Sequence, residues 1–122
     1  MNKLEDIFEL TNSIIPLETT KTVFFCEVEE AAHEIFYYSY LKDGSYKQCY
    51  ELAEEETVNE MALDEVFDNM ADFIRKCPEF DASKRNVVTL IIEGTNKKSI
   101  IEMFDKSVGL YKIKKEWKTN NI

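Results

Sequence analysis

The groups in this sequence best suited to chemistry are carboxylates. Glu60 and Asp64 stand four residues apart, as do Asp64 and Asp68, so on a helix each pair lies side by side on one face. Neighbouring carboxylates can share a proton or a divalent cation. Both uses need a pocket, and this face lies opposite the apolar stripe of the same helix, so the spacing predicts solvated surface. The only histidine is His33, which excludes a multi-histidine metal site. It is expected in a charged, exposed turn between two strands. Cys26, Cys49 and Cys77 are odd in number and widely spaced, which gives neither a disulfide framework nor a zinc pattern. Cys26 alternates with Phe24 and Val28, and Cys77 continues a helical stripe, so both are expected as small buried hydrophobes. Cys49 is expected to be partly exposed, with nothing nearby in sequence to lower its pKa. The three glycines are scattered singly, so no phosphate-cradling loop is present. These residues compose no catalytic constellation, no metal site and no cofactor site. The expectation is a protein that is not an enzyme and works by binding.

The elements that must position these groups follow from apolar periodicity. Leu4, Ile7, Phe8, Leu10, Ile14 and Ile15 form a helical stripe over residues 3–15, ended by Pro16. Residues 21–29 alternate, with Thr22, Phe24, Cys26 and Val28 on one face. Residues 34–41 are dense in aromatic and branched side chains, and Asp43-Gly44 separates them from residues 46–50, a hairpin signal. The acids of residues 51–56 read as an exposed loop. Leu63, Val66, Phe67, Met70, Phe73, Ile74 and Cys77 recur every three or four residues, which predicts a helix over 60–77 closed by Pro78. Residues 87–93 read as a buried strand, 94–97 as a turn and 99–104 as its partner. A short basic helix carrying Leu110, Ile113 and Trp117 ends the chain. The order α-βββ-α-ββ-α gives an α+β fold, an antiparallel sheet of about five strands with helices packed on it, in a single domain spanning 1–122.

Charge narrows the partners. Residues 27–72 hold fourteen acids against two bases, whereas residues 82–122 hold nine bases against four acids. The acidic middle repels nucleic acid and anionic membranes and attracts a basic protein surface. Lys112, Lys114, Lys115 and Lys118 stand near Tyr111 and Trp117, a combination that can grip single-stranded nucleic acid. Leu110, Ile113 and Trp117 read instead as the inner face of a helix with lysines reaching past it, so no direct nucleic-acid contact is expected. No apolar run approaches the roughly 18 residues of a membrane span, no export signal is apparent, and free cysteines fit the reducing cytoplasm. In residues 34–41, Phe36, Tyr38 and Tyr40 share one side, and Ile35, Tyr37 and Leu41 the other. One side must cover the core. The other is either covered as well or presents tyrosines to a partner.

Several strings together resemble a known family. Phe36-Tyr37-Tyr38-Ser39-Tyr40, the helical string Leu63-Asp64-Glu65-Val66-Phe67-Asp68-Asn69-Met70, Thr89-Leu90-Ile91-Ile92-Glu93-Gly94, Met103-Phe104-Asp105 and Trp117-Lys118 are similar to the YezG/EsaG-like immunity proteins. In that family Asn69-Met70 is commonly a Leu-Trp step. The resemblance implies a cytoplasmic bacterial antitoxin made beside a cognate nuclease toxin, as in contact-dependent growth inhibition or type VII secretion. Nuclease sites are basic because they hold phosphate, so an acidic inhibitor is steered onto them and competes with nucleic acid. Glu51, Glu54, Glu55, Glu56, Glu60 and Asp64 are the expected contacts, with Tyr46 and Tyr50 as aromatic anchors. The alternative is a non-catalytic adaptor or chaperone for a secretion-system substrate.

Overall fold

The computed structural model describes residues 4–16, 19–83, 86–93, 97–105 and 118. The fold is α+β. β1 (Lys21–Val28), β2 (His33–Tyr40), β4 (Asn86–Glu93) and β5 (Lys97–Asp105) are long strands, and β3 (Tyr46–Gln48) is a three-residue strand at one edge. All pair antiparallel in the order β3-β2-β1-β4-β5. A 3-10 helix (Leu4–Ile14), α1 (Cys49–Glu54) and α2 (Glu60–Arg75) complete the described elements.

The register divides the strands into two faces. Phe24 pairs with Tyr37 on one side and Leu90 on the other, and the Phe24 and Tyr37 rings lie 4.9 Å apart. Tyr37 in turn meets Phe67 of α2 edge to face at 6.4 Å, so this face lies under the helices. The Tyr37 hydroxyl, fully buried, donates to the backbone carbonyl of Ile14 and ties the 3-10 helix to the sheet. Ile7, Phe8 and Ile14 of that helix are buried, and it packs against α2. On the opposite face Val23, Phe25 and Val87 are also fully buried. Both faces of the central strand are thus shielded, which explains why β1 is apolar along most of its length rather than strictly alternating.

The aromatic row on that second face is continuous. Phe25 stacks on Phe36 at 5.0 Å, Phe36 meets Tyr38 at 5.9 Å, and Tyr46 of β3 lies 5.5 Å from Tyr38 and 5.4 Å from Tyr40. The Lys118 ammonium sits 5.5 Å from the Tyr38 ring centre.

The Asp-Gly hairpin forms, and its chemistry is local. Gly44 has φ +87, Gly44 N–H donates to Leu41 O, and Leu41 N–H donates to Ser45 O. This is a three-residue loop whose last residue needs the left-handed region. Asp43 accepts from both the N–H and the hydroxyl of Ser45, and these bonds hold its carboxyl below the usual range.

Several expectations need correction. The first helix is 3-10 rather than α. The third strand ends at Gln48, two residues early, because Cys49 and Leu52 are buried at helical spacing. The acids of 51–56 therefore fall on α1 and the turn behind it, not in a loop, and the order of elements gains a helix between β3 and α2. Cys49 is fully buried rather than partly exposed. The expected turn at 94–97 and the helix through Leu110, Ile113 and Trp117 lie outside the described residues, except Lys97 at the start of β5.

Burial sets the alkaline limit of the fold. Desolvation pushes the Cys49 thiol from 9.0 up to about 11, and raises Cys26 and Tyr37 further. A raised folded-state value means that the folded chain keeps its proton where the unfolded chain has lost it. Stability is fully present below the unfolded-state value and falls as pH rises past it. Urea unfolding followed from pH 8 to pH 11 should show stability dropping from about pH 9, with Cys49 contributing on the order of 2–3 kcal/mol. Cys49→Ala should flatten that part of the decline.

Candidate functional site

α2 starts where its sequence directs. The Asn59 side chain accepts from Ala62 N–H at 3.1 Å, capping free donors of the first turn. Glu60 in the first turn and Arg75 in the last complement the helix dipole. Leu63, Phe67, Met70, Ala71 and Ile74 turn inward, so Glu60, Asp64 and Asp68 face away from the core. Arg75 fixes the far end. Its Nε donates to Glu29 O at 2.9 Å, one Nη to Ala32 O at 3.1 Å, and the other to Asp72 at 3.0 Å. One guanidinium thus holds two carbonyls of the β1–β2 turn, using the planar fork that lysine lacks.

This clamp draws His33 to the helix. His33 is the first residue of β2, not a turn residue as expected, and its Nε2 lies 3.1 Å from an Asp68 carboxylate oxygen. Its Nδ1 lies 3.5 Å from an Arg75 Nη. Between the start of β2, α1 and α2 lies a cavity of about 420 Å³ lined by His33, Glu34, Ile35, Tyr50, Asp64, Phe67 and Asp68. Phe67 and Ile35 supply an apolar floor and are almost fully buried. The Tyr50 phenol is raised above its ordinary value, first by burial, then by Cys49 and by the carboxylates of Asp64, Glu34 and Glu60. The field at this site is negative and the walls are aromatic. Such a site accepts cations: an ammonium or guanidinium meets carboxylates at its head and ring faces along its stem. Among the described residues, no group of three or more His, Cys, Asp or Glu is placed to hold a metal ion.

The residues expected as contacts separate into three groups. Asp64 and Tyr50 meet at the cavity, with Glu60 close enough to act on Tyr50. Glu51, Glu54, Glu55 and Glu56 are exposed on α1 and just after it. Within that group, Glu51 accepts from Gln48 N–H at 3.3 Å, and Glu55 pairs with Lys47 at 2.6 Å. Tyr46 belongs elsewhere, since its ring joins Tyr38 and Tyr40 on the face away from the helices. Asp64 and Asp68 are solvent-exposed, as expected, and the structure adds that both stand at the rim of the cavity. Sequence reasoning passed over His33, Glu34, Ile35, Phe67 and Asp68 as parts of one site. The four-residue step from Asp64 to Asp68 was the available signal. The approach of β2 to that step depends on Arg75 binding a distant turn, which no local spacing encodes.

Glu56 stands out in its backbone. Its φ is 61, Glu56 N–H donates to Ala53 O, and Thr57 N–H donates to Leu52 O. These are the two bonds of a Schellman helix end, where glycine is the usual residue at the left-handed position. A side chain there costs about 1 kcal/mol.

A comparison of the chain with family models, with curated proteins and with solved structures gives no match.

Two substitutions check the local account. Arg75→Met should destabilise the chain by about 2 kcal/mol in urea unfolding, because two carbonyls lose a charged donor, and Arg75→Lys should recover only part of that. Glu56→Gly should raise stability by about 0.5–1 kcal/mol in the same measurement, since glycine occupies the left-handed region without strain.

Proposed function

We propose that this chain is a non-enzymatic binding protein that covers a basic surface of a partner protein, and that the partner is a cognate bacterial toxin, of nuclease type. The observation that carries the reading is the exposed acid array of Glu51, Glu54, Glu55, Glu56, Glu60 and Asp64 over α1 and the start of α2. Apart from Lys47 on Glu55, no cation among the described residues lies within 4 Å of these six carboxylates. Two apolar groups stand in the same region. Met61 is 81% exposed and Tyr50 40% exposed. An exposed methionine and tyrosine ringed by acids have the make-up of an interface centre, where flexible and aromatic side chains are enriched.

The physics of the proposed association is electrostatic steering followed by short-range fit. A basic nuclease surface meets an acidic face at long range, and nucleic acid, carrying the same sign as the inhibitor, is displaced. Glu56 supports this reading from a different direction. A carboxylate held at a backbone position that favours glycine fits a requirement for charge rather than for fold. The nuclease identity comes from the family resemblance, and the cytoplasmic setting from the same source. No helix among the described residues is long and apolar enough to cross a membrane.

Co-expression with the product of the adjacent reading frame tests the reading: the two should co-purify, and the toxin should lose its nuclease activity. Charge reversal of Glu54, Glu55 and Glu56 to lysine should slow association at least tenfold with urea stability almost unchanged, because exposed substitutions cost little. The wild-type association rate should fall steeply between low and high salt. A co-purifying partner that keeps its enzymatic activity would point to an adaptor or chaperone instead, and no binding to any adjacent product would end the proposal.

A further inference from the structure

The β2–β3 hairpin carries a reactive pair that the proposed binding does not use. Asp43 and Gly44, both exposed, form the only Asp-Gly step in the chain. In such a step the glycine nitrogen can attack the aspartate side-chain carbon, because no Cβ on the second residue crowds the approach. Water leaves as a five-membered succinimide closes. A second water then reopens the ring at either carbonyl. Opening at the backbone carbonyl gives isoaspartate, whose main chain runs through the former side chain and is longer by one CH2. Water is released and taken up again, so the net change is an isomerisation.

Access does not prevent the attack here, since a Cβ on Gly44 would meet no atom within 4 Å. Three hydrogen bonds oppose it. Gly44 N–H donates to Leu41 O at 3.0 Å and so engages the attacking nitrogen. Ser45 N–H donates to Asp43 Oδ1 at 2.9 Å, and the Ser45 hydroxyl donates to the same oxygen at 2.6 Å. These two bonds direct the carboxylate to Ser45 rather than to the Gly44 nitrogen. They also hold the carboxyl below its usual range, whereas ring closure expels water from the neutral acid. The chain contains its own comparison. Asp81 accepts from the N–H and hydroxyl of Ser83 at 2.9 and 2.6 Å, the same arrangement, but Ala82 stands where the glycine would be.

We infer that Asp43-Gly44 is an isomerisation site kept latent by the folded hairpin, with Ser45 as its guard, and that conversion to isoaspartate opens the hairpin. The second part follows from loop length. Residues 42–44 are closed by Gly44 N–H on Leu41 O and by Leu41 N–H on Ser45 O, and a main chain one CH2 longer no longer fits that closure. β3 begins two residues after Gly44, at Tyr46, so it loosens first. The inference concerns the chain alone and holds whichever partner it binds.

The test incubates the full chain at pH 5 and 37 °C, folded and in concentrated urea. Isoaspartate is located by electron-transfer fragmentation, which cleaves at the additional Cα–Cβ bond. It should form at Asp43 at least tenfold faster in urea than in the folded chain, because reaction requires the hairpin to open. In urea it should form at Asp81 at least tenfold more slowly than at Asp43, because Ala82 carries a Cβ. Folded Ser45→Ala should isomerise at Asp43 at least threefold faster than wild type, the effect of one lost hydrogen bond. Ser45→Thr, which keeps both donors, should match wild type. In the purified isoaspartyl chain the Leu41 amide should exchange at least tenfold faster. Equal rates folded and in urea, or a Ser45→Ala chain that folds and isomerises no faster, overturn the latent site. Unchanged exchange at Leu41 overturns the opening of the hairpin.

Discussion

The interlock of Phe24, Tyr37 and Phe67 decides where everything else in this molecule sits. Phe24 and Tyr37 are cross-strand partners, and Phe67 is the one aromatic side chain of α2 that meets Tyr37. Aromatic pairs at these separations contribute about 0.5–1.5 kcal/mol beyond the area they bury. Their larger effect is geometric. With Phe67 fixed over β2, the helix can rotate little, and Asp64, about one turn before it, and Asp68, the next residue, are fixed along the border of the same strand. The Tyr37 hydroxyl extends the constraint to the 3-10 helix through Ile14. Core packing thus determines where surface charge is presented.

That arrangement concentrates like charges, which is unfavourable for the isolated fold. Asp64, Asp68, Glu34 and Glu60 lie near one phenol, and α1 adds its own acids beside them. Local compensation is sparse: His33 stands on Asp68 and Lys47 on Glu55. Arg75, the strongest cation nearby, is directed instead at two backbone carbonyls and Asp72. A chain whose only need were solubility would gain by dispersing these charges. Their confinement to one end of the sheet and the helices above it carries a cost to the free protein that the proposed basic partner would remove.

How far the sequence could be read follows from the range of the interactions. Local patterns were legible: the stripe from Leu63 to Ile74, the alternation of β1 and the Asp-Gly hairpin each depend on neighbours within a few residues. α1 was misread because its acids outnumber its apolar residues, and two buried side chains, Cys49 and Leu52, are too few to make a periodic signal over six residues. The 3-10 character of the first helix is likewise invisible, since its stripe fits periods of three and of 3.6 about equally. Within the site, Asp64 and Tyr50 were expected as contacts and do meet, whereas Tyr46 does not join them. Its register opposite Tyr40 places it on the other face. That register is set by a three-residue loop, and one residue of shift would exchange the faces.

The short length of β3 has a physical reason. By turning into α1 at Cys49, the chain buries Cys49 and Leu52 and brings the Tyr50 ring to the cavity. Ile35, which shares that wall, is 3% exposed, so beyond Tyr38 this side of β2 is closed by packed side chains rather than by a further strand ladder, and no long unpaired edge is left there. The acids that α1 carries on its outer side, Glu51 and Glu54, follow from the same turn, because the burial of Cys49 and Leu52 fixes which way that helix faces. A packing requirement of two side chains therefore settles the orientation of charges that are themselves exposed.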